Sequence, residues 1–321
     1  MSLIEMSGVD RVFDVRRRTG LLRRQRHSVP AVNNLSFTVD AGEMVGYLGP
    51  NGAGKSTTVK MLTGILVPSA GRVRVDGLDP ARQRRELAGR VGVVFGQRTT
   101  LWWDLPLRDS FDLLRRLYRI DPATFRVNLD RFTELLDLGP LLATPVRQLS
   151  LGQRMRGDLT AALLHDPRIL YLDEPTIGLD VTSKAAVRSF LTQMNRDRGT
   201  TILLTTHDLD DIERVCRRVM VIDHGRLAFD GDLPALRARA AAERTLVVDL
   251  LTPTAPIEVP GTRVVRVDGP RQWLAFPADA SAVPLVAAVM ERFPVADIAL
   301  REPDIEDVVA QLYAGSAPAL S

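Results

Sequence analysis

One cysteine, Cys216, stands in 321 residues, so no disulfide can brace the chain from within and a reducing compartment suits it. No apolar run approaches the roughly 18 residues that a membrane-spanning helix needs. The opening MSLIEMSGVDRVFDV has neither the basic region nor the apolar stretch of a secretory leader. Lysine is nearly missing too: apart from Lys55, Lys60 and Lys184, the basic residues are arginines. The net charge of +3 gives no ground for wholesale nucleic-acid binding. These absences lead to the expectation of a cytoplasmic protein that meets a membrane, if at all, from its surface. What is present is an ordinary globular composition, 45% hydrophobic and 25% charged, long enough for one large and one small domain.

Short apolar runs alternate with helical patterns. MVGYLG (44–49), VGVVFG (91–96), RILYLD (168–173) and TILLTTH (201–207) read as buried strands, rich in Val, Ile, Leu and Thr. STTVKMLTGIL (56–66) reads as the helix after the first of them, and about 104–164 as a mostly helical stretch with arginine-rich exposed faces. The alternation predicts an α/β fold around a mainly parallel sheet. Before it, VDRVFDV and NNLSFTVD alternate apolar and polar residues, as half-exposed antiparallel strands do. LPALRARAAAE (233–243) reads as a helix closing the first domain, which is expected over 1–235. Beyond it TLVVDLL, TRVVRVDG, RQWLAFPA, a helix near 280–293, a strand near 295–300 and a last helix DIEDVVAQLYAG predict a small α+β domain over 244–315.

GPNGAGKST, from Gly49 through Pro50, Asn51, Gly52, Ala53, Gly54, Lys55 and Ser56 to Thr57, lies between a predicted strand and a predicted helix and fits G-x-x-x-x-G-K-[ST]. Glycines let such a loop wrap phosphates with successive N–H groups pointing inward, and the helix N-terminus adds positive potential. Lys55 is placed to reach the β- and γ-phosphates of a nucleotide and Ser56 to hold Mg²⁺. A P-loop calls for a second strand ending in a carboxylate, and RILYLDEP supplies Asp173, to orient Mg²⁺ through water, and Glu174, to polarise an attacking water as general base. The bland alternative is an acidic pair that ends a strand and caps the next turn.

GPNGAGKST, Gln97 in VVFGQ, LSLGQ at 149–153, LYLDEP, IGLD at 177–180 and His207 in TTHD together resemble the nucleotide-binding subunit of ATP-binding cassette (ABC) transporters, over roughly residues 5–230. The resemblance implies a P-loop cassette with a mainly parallel core sheet, an antiparallel β subdomain and a helical subdomain. It also implies that Gln97 senses Mg²⁺ and the γ-phosphate, that His207 donates to the γ-phosphate, that Asp180 communicates between two cassettes, and that Phe13 stacks on adenine. An arginine-rich insert, RRRTGLLRRQRH, separates Phe13 from the next strand. In this family two cassettes share each ATP, so one chain with one P-loop and one signature is expected to work as a dimer. The signature here is Ser150, Leu151, Gly152 and Gln153, with leucine where the family usually has glycine. Ser150 is expected to cap the following helix, Gly152 to face the partner's phosphate, and Leu151 to point away.

A chain of this family without a membrane segment implies a separate permease. Trp102, Trp103 and Leu105 lie where the family docks it, and they read equally as an interface anchor or as cover for the core. FGQRTTLWWDLP, LSLGQRMR and the small tail resemble cassettes paired with ABC-2-type permeases, a mostly exporting class. The alternatives are a soluble ABC ATPase acting on ribosomes or DNA, an importer cassette with a regulatory tail, and a degenerate cassette, against which Glu174 speaks. The basic insert at 16–26 is expected to be a solvated loop or to touch anionic lipid headgroups.

Overall fold

In this computed structural model, residues 2–18, 24–96, 98–206, 208–240 and 243–301 are described. Contacts divide the chain at Asp230/Gly231 into two compact units. In chain order the first contributes strands β1 (Ser2–Arg18), β2 (Arg24–Asp40) and β3 (Met44–Leu48), helix α1 (Lys55–Leu62), β4 (Ala70–Val75), α2 (Arg84–Ala88) and β5 (Val91–Phe95). Then follow α3 (Leu107–Tyr118), α4 (Pro122–Leu135), α5 (Leu151–Leu163), β6 (Ile169–Asp173), α6 (Val181–Arg198), β7 (Thr201–Thr205), α7 (Leu209–Val215), β8 (Arg218–Asp223) and β9 (Arg226–Asp232).

Six strands form the core sheet in the order β5-β6-β7-β3-β8-β9, and the pairs from β5 to β8 are parallel. Every residue of β3 and β7 is buried, as expected of strands covered on both faces, which explains their unbroken apolar runs. β1 pairs antiparallel with β2 and β4 in a second sheet. Its inward residues Ile4, Met6, Val9, Val32, Leu35 and Val39 join Val45, Tyr47 and Met61 in one continuous core. The α/β fold read from the sequence is therefore the fold found.

The two ends of the basic insert, read from the sequence as loop, are strand. β1 and β2 run on into it, with Arg16 opposite Arg26, Arg17 opposite Gln25 and Arg18 opposite Arg24. Backbone pairing needs only N–H and C=O groups in register, so apolar patterning alone cannot reveal such a strand.

The second unit holds α8 (Leu233–Ala240), β10 (Glu243–Leu250), β11 (Arg263–Asp268), β12 (Arg271–Pro277), α9 (Ala282–Arg292) and β13 (Val295–Arg301). Its sheet runs β11-β12-β10-β13, antiparallel throughout. Leu246, Val248, Leu274 and Phe276 pack with Val289 of α9 in a separate core. The unit boundary precedes α8, so the helix expected to close the first domain falls with the second. The last helix read from DIEDVVAQLYAG lies outside the described residues. At the centre of this unit the fully buried Gln272 accepts from the Ile257 N–H at 2.8 Å and donates to the Ala255 carbonyl at 3.1 Å. Gln272→Ala orphans both groups and should destabilise this unit by about 1–3 kcal/mol, read as a lower denaturant midpoint of Trp273 fluorescence.

Candidate active site

The buried β3 delivers the chain into the turn Gly49–Gly54, and α1 begins at once behind it. Gly54 is the N-cap at φ 107°, and a Cβ there would stand 2.4 Å from the Ala31 carbonyl. Only glycine satisfies both the left-handed backbone and that approach. No side chain caps α1, so its first-turn N–H groups are left for an anion. Lys55 turns back over the loop, donating to the carbonyls of Gly49 and, at 3.3 Å, Pro50. Burial holds its pKa below the ordinary lysine value, against the opposing charges of Glu174 and Asp173.

β6 ends beside this loop. Asp173 Oδ1 accepts from Thr205 Oγ1 at 2.6 Å and from Ser56 Oγ at 3.2 Å, tying three segments together. Glu174 follows at φ 56°, a left-handed conformation that costs a non-glycine residue of order 1 kcal/mol or more. Its N–H donates to the Thr205 carbonyl at 3.0 Å, which holds the turn. Its Oε1 lies 3.9 Å from Lys55 Nζ.

Pro50, Asn51, Gly52, Gly54, Lys55, Ser56, Thr57, Asp173 and Glu174 line one cavity of about 730 Å³. Gly49 and Ala53 stand beneath it: Gly49 accepts from Lys55, and the Ala53 carbonyl accepts from the Gly225 N–H at 2.9 Å. A nucleotide fits a cavity of this size, and paired hydroxyl and carboxylate oxygens at Ser56 and Asp173 are suitable donors for a hard divalent cation. Phe13 is not among the lining residues; the Arg11 guanidinium lies 4.6 Å over its ring. Gln97 and His207 lie outside the described residues.

Ser150 caps α5 as the sequence predicts. Its Oγ accepts from the Gln153 N–H at 3.2 Å, and the Gln153 Oε1 accepts from the Ser150 N–H at 2.9 Å. Gly152 has a close neighbour in its own chain. A Cβ on it would stand 2.4 Å from Ser183 Oγ, which Asp180 Oδ2 holds at 2.8 Å. Within this chain the missing side chain makes room for Ser183 of α6. Leu151 lies over Gly178, where a Cβ would be 3.0 Å from its Cδ2. Trp102 and Trp103 are 40% and 50% exposed, while Leu105 is half-buried.

A family model described as ABC transporter matches residues 32–177. The chain is 35% identical to the daunorubicin resistance ATP-binding protein DrrA3 of Streptomyces coeruleorubidus over 88% of its own length and 90% of the relative's. The chain belongs to the ABC transporter ATP-binding family. It is also 40% identical to the Nod factor export ATP-binding protein I of Paraburkholderia xenovorans (64% of this chain, 67% of that one), and 28% identical to the methionine import ATP-binding protein MetN of Latilactobacillus sakei (96% and 89%). An ABC transporter ATP-binding subunit of solved structure superposes with a TM-score of 0.63 at 25% identity, covering 74% of this chain and 93% of that one. A dimeric ATP-binding cassette bound to ADP and Pi in a post-hydrolysis state shares the fold, with a TM-score of 0.62 at 24% identity, covering 72% of this chain and 98% of that one.

The cassette is an ATPase, and its site uses residues beyond those the motifs name. Thr205 shares Asp173, and Lys60, Ile65 and Arg98 line the cavity. Gly96 matters most: its N–H donates to the Asp173 carbonyl at 2.7 Å, and a Cβ on it would stand 2.0 Å from the Glu174 carbonyl. The available signal was a glycine closing a buried strand beside Gln97, which marks close backbone approach. Gly96→Ala must push the Glu174 turn aside and should lower ATP turnover by on the order of 10²-fold while the protein stays folded, measured as phosphate release.

Proposed function

We propose that this chain is the ATP-hydrolysing subunit that powers a separate ABC-2-type permease in the direction of export. The observation that carries it is the convergence of Lys55, Ser56, Asp173 and Glu174 on one cavity. The class rests on the near full-length likeness to a daunorubicin resistance protein, with a Nod factor export protein beside it. In this reading the α1 N-terminus and Lys55 bind the ATP phosphates. Ser56 and Asp173 hold Mg²⁺, with Gln97 as a further ligand, and the ion when bound supplies charge neutralisation to the phosphates. Glu174 takes the proton of the attacking water, and His207 contacts the γ-phosphate.

Residues 150–153 do not line the cavity of their own chain. A second copy is therefore proposed to bring its Ser150 and the N–H groups of its signature turn to the nucleotide, with Asp180 at the junction between copies. That helix start is already capped by its own Ser150, so leucine at 151 involves no backbone strain. Exposed Trp102 and Trp103, with Leu105 beside them, form the contact for the permease, which holds the cassette at the cytoplasmic face of the membrane. No helix among the described residues is long and apolar enough to cross a membrane, which agrees with a separate permease. The likeness to MetN across 96% of the chain favours a second reading, an importer cassette with a regulatory tail; isolation of the cassette with an ABC-2-type permease from its own membranes decides between them.

Glu174→Gln should keep ATP binding while hydrolysis falls roughly 10²-fold or more, the scale of a lost general base; near-normal turnover with the permease present overturns that role. Lys55→Ala should instead weaken binding itself, so an unchanged ATP affinity in equilibrium dialysis removes Lys55 from the phosphate site.

A further inference from the structure

Asp158 is a carboxylate only 5% exposed, two turns into the helix that starts at the signature, and nothing in the cavity requires it. Its Oδ1 accepts three hydrogen bonds from one short segment: from Thr99 Oγ1 at 2.8 Å, from the Thr100 N–H at 3.0 Å and from Thr100 Oγ1 at 3.3 Å. An oxygen that only accepts suits three converging donors. Burial pushes this carboxyl up to about 6, so the site is held against a desolvation cost.

The neighbours of Asp158 on α5 grip the same segment. A Cβ on Gly157 would stand 3.0 Å from Leu101 Cδ1 and from Leu107 Cδ1, so helix and loop are in close contact there. One turn earlier, the Arg154 guanidinium lies 5.6 Å from the Trp103 ring centroid. Positions 154, 157 and 158 thus form one stripe of α5 facing residues 99–103. The segment begins at the nucleotide cavity, whose wall includes Phe95, Gly96 and Arg98, and ends at the exposed Trp102 and Trp103. It joins the cavity wall, the signature helix and the tryptophan pair through packed contacts.

We propose that Asp158 is a positioning residue that clasps the Thr99–Trp103 segment to the signature helix, so that nucleotide binding moves the two as one piece. The proposal rests on the reading of the cavity as the ATP site. Without the clasp, nucleotide can still bind at Lys55 and Ser56, but its arrival is no longer felt at Trp102 and Trp103.

The full chain carrying Trp273→Phe keeps Trp102 and Trp103 as its only tryptophans. Acrylamide quenching of their fluorescence is measured with and without a non-hydrolysable ATP analogue and Mg²⁺, with binding followed separately by equilibrium dialysis. In this parent the analogue should change the quenching. Asp158→Ala should bind the analogue as before and lose that change. Asp158→Asn, whose amide oxygen can accept the same three bonds, should keep it. A response in Asp158→Ala equal to the parent's, or its loss in Asp158→Asn as well, overturns the clasp. If Asp158→Ala does not fold, Thr99→Val removes the shortest bond from the other side and should lose the response; if it keeps it, the clasp is overturned. A parent that binds the analogue without any tryptophan response overturns this inference alone. A parent that fails to bind it overturns the ATP-site reading, and this inference with it.

Discussion

One carboxylate oxygen organises the site. Asp173 Oδ1 receives Thr205 from the end of β7 and Ser56 from the start of α1, while Asp173 itself ends β6. Three segments distant in sequence are thereby held at one point, and each other feature of the cavity is built outward from it. The Glu174 turn can persist at positive φ because Thr205 also takes its N–H. Gly96 lies against that turn because β5 pairs with β6 in parallel register, Phe95 opposite Asp173. Parallel pairing brings all the strand ends to one edge of the sheet, where loops rather than strand interiors can carry chemistry.

How much of this was legible follows from how local each feature is. β3, β6 and β7 are buried on both faces, so their apolar runs betray them directly. β4 and the long arms of β1 and β2 are written by pairing partners far along the chain, and Arg16 or Arg24 gives no sign of the strand it belongs to. The P-loop and the Asp173–Glu174 pair are contiguous motifs with chemistry bound to spacing, so they were readable. Gly96, Thr205 and Arg98 join the site only through the sheet, and no short motif could have named their partners. Phe13 is a residue whose surroundings the sequence leaves open: its ring face is met by the Arg11 guanidinium.

The signature turn illustrates a third case, where packing within the chain adds neighbours that the sequence does not show. Gly152 does lack a side chain of necessity, but the nearest claimant to that space is Ser183 in the same chain. The neighbouring leucine is likewise occupied within the chain, over Gly178, rather than idle. Both contacts couple the start of α5 to the segment that ends at Asp180 and opens α6.

Seen as heredity rather than as packing, that coupling makes residues 151, 152, 178 and 183 a single unit of change. A side chain gained at Gly152 needs Ser183 to shorten or turn aside, whereas one gained at Gly178 meets both Leu151 and the strain of a backbone at φ 73°.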